Sequence, residues 1–219
     1  MLPSIDFLEE SVRAYSAREI PLGGMRESAV LILICESESE LYVALQVRTN
    51  TVAHHKGEIS FPGGRRDPED SDLSMTALRE THEEMGVESD EIALIGRLDD
   101  TSTIVSNYRI SPYIGLLRGV NLDGLFSKAD AEVRDVLVVK LATLMSPESR
   151  VWHMVEQSGS PTATRAYSFR LDGTEHLVWG ATARILTNLF HILDVATDND
   201  VDEEGVQQMN DFFELFEEN

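Results

Sequence analysis

Between Ser28 and Cys35 the chain reads SAVLILIC, polar at its first position and apolar from there on. A strand with one wet face alternates apolar and polar side chains, whereas a continuous apolar run belongs to a strand covered on both faces. The chain must therefore lay structure on either side of this strand. A second strand, Leu41 to Arg48, follows across the polar turn ESESE, and Glu58 to Phe61 makes a short third one that Pro62-Gly63-Gly64 ends. Further strands are expected at Ile92 to Leu98, Tyr108 to Leu117, Val133 to Val139, Arg150 to Val155 and Ala166 to Arg170. The polar stretch Asp99 to Asn107 and the segment QSGSPTAT, Gln157 to Thr164, are expected as loops.

Helical periodicity marks four other segments. Ser4 to Ala17 carries Ile5, Leu8, Val12 and Tyr15 on one stripe, with Ser4 as N-cap. Leu73 to Met85 is framed by Asp72 as N-cap and by Gly86, placed where a left-handed C-cap wants glycine. Leu141 to Met145 is a short helix and Val178 to Leu193 a long apolar one. Strands and helices mix without strict alternation, which argues for an α/β fold with a mixed sheet flanked by helices and against a doubly wound parallel one. The expected organisation is a helical extension over 1–24, one domain over 25–193 and an acidic tail over 194–219.

The 219 residues carry a net charge of -21, unevenly spread. After Arg184 there are ten carboxylates and no Lys or Arg. In that tail Val206, Met209, Phe212, Phe213 and Phe216 make an apolar helical stripe, suited to docking on its own domain or to a homodimer contact. Such a chain repels nucleic acid and anionic membrane, so neither is expected as a partner. Between Arg48 and Arg66 the balance reverses: Arg48, Lys56, Arg65 and Arg66 face only Glu58, a patch fit for a small anionic ligand. No apolar run reaches the roughly 18 residues of a membrane helix, no secretory leader pattern opens the chain, and the single cysteine, Cys35, lies in the apolar strand as a reduced thiol. A cytoplasmic protein is expected.

The helix from Leu73 to Met85 carries the chemistry. At 100° per residue, with Glu80 at zero, Glu84 falls near about +40° and Glu83 near about -60°. Arg79 lies beside Glu83, while Leu78 and Met85, with Met75 near them, point to the core. Like charges at this spacing weaken a helix by a few tenths of a kcal/mol per pair. A carboxylate cluster aimed at one spot suits a hard cation such as Mg²⁺, which takes oxygen ligands and phosphate oxygens together. Glycine lets backbone approach a phosphate closely, and an arginine can hold a glutamate bidentately.

The stretch Arg79-Glu80-Thr81-His82-Glu83-Glu84-Met85-Gly86-Val87, behind Phe61-Pro62-Gly63-Gly64, resembles the signature of the Nudix hydrolases, G-x5-E-x7-R-E-U-x-E-E-x-G-U with U aliphatic. Thr81 stands where an aliphatic is usual. The spacing from Gly64 to Arg79 is one residue longer than the pattern, so the early glutamate falls on Asp70 or Ser71, with Asp70 preferred. The resemblance implies an α/β/α sandwich with a mixed sheet. It implies Mg²⁺ or Mn²⁺ held by Glu80, Glu83, Glu84 and Asp70, and catalysis by Glu80 and Glu83 with Arg79 orienting them. Which carboxylate is the base stays open.

Upstream, ALQVRTNTVAHHKGEISFPGG, Ala44 to Gly64, resembles the motif LLTKRSxx(L/M)RxxxGxV(A/S)FPGG of the coenzyme A pyrophosphatases in that family, with Ala53 where the motif has arginine. Gly96 to Pro112 and the stretch WGATARIL, Trp179 to Leu186, are similar to further segments of the same subfamily, and the likeness runs from about Arg26 to about Leu193. It implies a small-molecule diphosphate substrate, coenzyme A or a derivative, cut to a phosphopantetheine compound and adenosine 3′,5′-bisphosphate. Arg48, Lys56, Gly63, Gly64, Arg65 and Arg66 would bind it. The alternatives are another nucleoside diphosphate derivative (ADP-ribose, a nucleotide sugar or a dinucleotide) and a non-catalytic ligand sensor on the same fold. Other signals read as structure: His54-His55 as a polar loop, His82 as packing or surface, Asp99-Asp100 as a turn, and Trp179 and Phe190 as core. Asp198, Asp200 and Asp202 lack the glycine and glutamate of a calcium loop.

Overall fold

The computed structural model describes residues 3–49, 58–103, 106–127, 133–157 and 160–193. Its centre is β1 (Arg26–Ser37), in which Leu31 through Cys35 have no exposed surface. On one side β1 runs parallel to β7 (Tyr108–Leu117) over ten residue pairs; on the other it meets β2 (Glu40–Arg48) antiparallel. Beyond β7 lies β5 (Ala93–Arg97), and along the far side of β2 runs β8 (Val133–Lys140). One parallel pairing among antiparallel ones makes the sheet mixed, as expected.

β1 and β2 pair only between Leu33–Ser37 and Glu40–Ala44, then part. Into the fork goes the chain at 59–65. β3 (Ile59–Ser60) pairs with Gln46 and Val47 of β2, and β4 (Gly63–Arg65) pairs with Ser28 to Val30 of β1. Leu31 N–H donates to the Pro62 carbonyl at 2.9 Å, so even the proline between the two short strands joins the ladder. A Cβ on Gly63 would lie 2.3 Å from the Ala29 carbonyl oxygen, and its φ of 152° is one few other residues adopt.

Alternate residues of β1 divide the core. Ala29, Leu31, Leu33 and Cys35 pack with Ala77, Leu78 and Met85 of α2 (Leu73–Met85). Ile32 and Ile34 pack with α1 (Ile5–Ala14), α3 (Leu141–Met145) and α4 (Gly180–Ile192). A second sheet, β9 (Arg150–Gln157), β10 (Ser160–Leu171) and β11 (Thr174–Val178), adds Tyr167, Phe169 and Val178 to this side. The result is an α/β/α arrangement in which each face of β1 is covered.

α1 is capped by Ser4, whose Oγ accepts from Phe7 N–H at 3.3 Å, and its Leu8 and Val12 are fully inside the main core. The segment behind it is pinned by Asp99, which accepts from Tyr15 Oη, Arg18 N–H and the Arg18 guanidinium, and by Asp100, which accepts from Ile20 N–H. Asp99-Asp100 therefore ties the N-terminal stretch to the sheet.

Several expectations change. The loop at 99–107 contains β6 (Thr101–Thr103), which pairs with β7. Of the expected loop 157–164, Gln157 ends β9 and Ser160 to Thr164 begin β10. Pro161 is tolerated because β11 pairs with Tyr167 to Leu171 and, among the described residues, no strand pairs with the start of β10 on that side. Thr174 to Val178 is a strand, and the last helix starts at Gly180. Met75 is 43% exposed instead of facing the core. Lys56, His54, His55 and the tail lie outside the described residues. No described helix is long and apolar enough to cross a membrane.

Burial pushes the Cys35 thiol up to about 12. A thiol-specific reagent at pH 8 should leave the native chain unlabelled and react once urea unfolds it; fast labelling of the native chain would contradict the packing of β1 against α2.

Candidate active site

α2 is set in register by its ends. Asp72 accepts from Ser74 N–H at 2.8 Å and Met75 N–H at 3.1 Å, and Gly86, at φ 72°, closes the last turn onto the His82 carbonyl. Its inward face buries Thr76, Ala77, Leu78, Thr81 and Met85. Thr81 fits where an aliphatic was expected because its hydroxyl donates to the Ala77 carbonyl at 2.7 Å, leaving the methyl to pack. Glu84 is buried with them, 4% exposed, directly behind the strand fork.

There the Glu84 carboxylate closes the fork. Its Oε2 accepts from Gly63 N–H at 2.8 Å and from Gln46 Nε2 at 2.9 Å, while Arg48 stands 3.9 Å from Oε1. Burial pushes this carboxyl up to about 7, against the pull of the two donors. Burial also raises Glu80, with Arg79 opposing. Glu80 rests against bare backbone: a Cβ on Gly64 would lie 2.3 Å from its Oε1.

Arg79 is the hub beside them. Its guanidinium grips Asp70 with Nε and Nη2, both at 3.1 Å, and reaches Glu80 at 3.0 Å and Glu83 at 3.1 Å through Nη1. It also donates to the Arg65 carbonyl. Asp70 accepts in addition from Thr76 Oγ1 and Asp67 N–H, and the Arg79 contact holds its carboxyl down at about 2.

These groups border a cleft of about 690 Å³ lined by Arg48, Gly63, Gly64, Arg65, Glu80 and Glu84 of the expected site residues. Arg79, Glu83, Asp70 and Arg66 lie outside that lining. Glu83 is half exposed on Arg79. Asp70, expected among the metal ligands, is buried with both oxygens engaged, and it acts as the anchor of Arg79. Arg66, expected on substrate, pairs with Glu27 at 3.2 Å and caps the Asp70 and Ser71 carbonyls. The opposite wall comes from Thr103, Tyr108 and Ile110 and from Trp179 to Thr182. Trp179 is therefore a cleft residue instead of core, set in a tilted ring contact with His153 at 5.4 Å. Gln46 went unnoticed from the sequence, although a lone amide within LYVALQV marks it.

The carboxylates suit a hard divalent cation in kind. All are oxygen donors, and Glu84 is a desolvated carboxylate that such a cation beside it would favour in its ionised form. Among the described residues no three His, Cys, Asp or Glu side chains converge at ligating distance. Glu80 and Glu84 would thus supply part of a shell, and Mg²⁺ completes such shells with water and phosphate oxygens.

The NUDIX domain profile matches residues 25–156. The chain belongs to the Nudix family. The uncharacterized Nudix hydrolase NudL of Photorhabdus laumondii is 32% identical over 166 residues, 75% of this chain and 83% of that one. Nudix hydrolase 15, mitochondrial, of Arabidopsis thaliana is 30% identical over 164 residues, 74% of this chain and 56% of that one. Among solved structures, the Nudix hydrolase RenU of M. Smegmatis aligns over 55% of this chain and 73% of its own, at 18% identity and a TM-score of 0.46. This Nudix protein is a pyrophosphohydrolase of nucleoside diphosphate derivatives, an activity for which the family uses divalent metal ions.

Two outcomes follow from the geometry. Gly64→Ala drives a methyl into the Glu80 carboxylate, the movable end of a side chain, so the fold should survive while kcat falls about 10²-fold; unchanged turnover would show that Glu80 does not need this contact. The Arg79 contact keeps Asp70 ionised well below the usual carboxylate range, so it stabilises the fold above about pH 4, and this is lost as pH falls through about 2. Asp70→Asn should lower stability in urea at pH 7 by roughly 1–3 kcal/mol, the range for a hydrogen-bonded charge at a partly solvated site, and the difference from wild type should shrink toward pH 2.

Proposed function

We propose that the chain hydrolyses the diphosphate linkage of coenzyme A or its derivatives, giving a phosphopantetheine compound and adenosine 3′,5′-bisphosphate. One observation carries this reading. Three separate stretches that resemble the coenzyme A pyrophosphatases, around Arg48 to Gly64, Gly96 to Pro112 and Trp179 to Leu186, all send residues into the cleft that holds Glu80 and Glu84. Packing alone would not require them to converge there.

In this reading Gly63 and Gly64 let the diphosphate approach the backbone, and Arg48 and Arg65 offset its charge from the cleft wall. The apolar wall of Ile110, Trp179 and Ile185 faces the less polar end of the substrate. A Mg²⁺ or Mn²⁺ ion held by Glu80 and Glu84, with Glu83 next to them, would supply Lewis-acid polarisation of the phosphate oxygens. The attacking water gives its proton to a carboxylate of the α2 cluster. Arg79, anchored on Asp70, fixes Glu80 and Glu83 without entering the cleft.

Ala53 favours a second reading, hydrolysis of ADP-ribose, a nucleotide sugar or a dinucleotide, because the coenzyme A motif has an arginine there. Hydrolysis of coenzyme A, ADP-ribose, NADH and 8-oxo-dGTP with Mg²⁺ and with Mn²⁺ separates the two. Coenzyme A should lead in kcat/KM by at least about tenfold, roughly 1.4 kcal/mol of transition-state preference. A lead by ADP-ribose or NADH would replace the first reading with the second.

A further inference from the structure

Gln46 stands within β2 with no exposed surface. Folding alone would be served by an apolar side chain there, since a buried amide needs partners on both of its ends. Its Nε2 donates to Glu84 Oε2 at 2.9 Å and to the Phe61 carbonyl at 3.3 Å. Both neighbours are acceptors, so the nitrogen must face them and Oε1 must turn away. That oxygen is buried and has no partner. Ser60, opposite Gln46 in the β2–β3 register, likewise has a buried Oγ with none. Unmet buried groups destabilise a fold, so stability does not account for the amide.

The Glu84 carboxylate does. Oε2 takes two N–H donors, one from the Gln46 side chain on β2 and one from the Gly63 backbone on β4. Oε1 takes neither, and is the oxygen that stands 3.9 Å from Arg48 of the cleft lining. Two donors from different strands oppose rotation that would exchange the two oxygens.

We propose that Gln46 is a positioning residue of the cation site: it fixes Glu84 so that Oε2 is held by the protein and Oε1 is presented to a divalent cation in the cleft. This rests on the reading of Glu84 as a cation ligand. Partners that orient a ligand in this way typically change metal affinity by about 10–100-fold when removed.

Mn²⁺ binding to the whole chain without substrate, followed by electron paramagnetic resonance, tests it alongside thermal melting. Gln46→Met keeps the size and removes the donor. Mn²⁺ affinity should fall about 10–100-fold while the melt stays near that of the wild type, because the unmet acceptor leaves with the donor. Wild-type affinity in the folded variant overturns the proposal, and so does a lowered melt with affinity intact, which would make Gln46 structural. If Gln46→Met loses its cooperative melt, Gln46→Leu, which also lacks the donor and adds no charge, is read in the same way. A wild-type chain that binds no Mn²⁺ would remove the cation reading itself; equal binding by wild type and variant would remove the positioning role alone.

Discussion

A single buried carboxylate, Glu84, joins α2, β2 and β4 where β1 and β2 part. Apolar packing sets these elements near one another but leaves their exact offset free. The two N–H bonds to Oε2 remove that freedom. They are directional and act where water does not compete, so the Gly63 bond sets β4 against the helix and the Gln46 bond sets the plane of the carboxylate. The burden is desolvation of a charge, visible in the Glu84 carboxyl being pushed up to about 7. Everything else at the site is referred to this point: Gly63 and Gly64 by backbone, Glu80 by one helical turn, and Arg79 through Glu80.

Three glutamates in one turn looked like a demand for a cation, and part of that demand is met from within. Arg79 stands between Glu80 and Glu83 and is in turn held by Asp70. The guanidinium relieves repulsion on the outer side of the helix. Among the described residues its ion pairs are with Asp67, Asp70, Glu80 and Glu83, whereas Glu84 has Arg48 at 3.9 Å. The helix thus has two electrostatic neighbourhoods, one closed by protein and one facing the cleft. That division explains why Glu83 sits half exposed while Glu84 is buried, although sequence spacing gives them neighbouring places.

Much of this was legible beforehand, for reasons tied to local chemistry. α2 begins after Asp72 and ends before Gly86 because caps are local, and β7 and α3 follow from uninterrupted periodicity. The apolar run of β1 correctly implied cover on both faces. What escaped depends on partners distant in sequence. Thr101–Thr103 and the start of β10 are polar enough to read as loops, and become strands only because β7 and β9 offer ladders. β11 is short and buries only Val178 fully, so it carries no strong pattern. Arg66 and Arg79 look alike in a charge count; Glu27, from β1, claims the first, and Asp70, from a loop, claims the second. Trp179 reads as core by its size, yet its place at the mouth of α4 puts it on the cleft wall.

The parallel pairing of β1 with β7, and the completion of the main core by α4, bear on how the chain comes to fold as it is made. The glutamate helix and the strand fork lie in the first half of the sequence, but α3, β10 and α4, which complete the cover that α1 begins on the second face of β1, all come in the second half. Until then a nascent chain leaves that face of its most apolar strand only partly covered, and long-range pairings of this kind are slow to form. The cleft matures at the same moment, since Trp179 and Gly180 open that last helix. Chains cut short before it lack the helix that completes the main core and, with it, one part of the cleft lining.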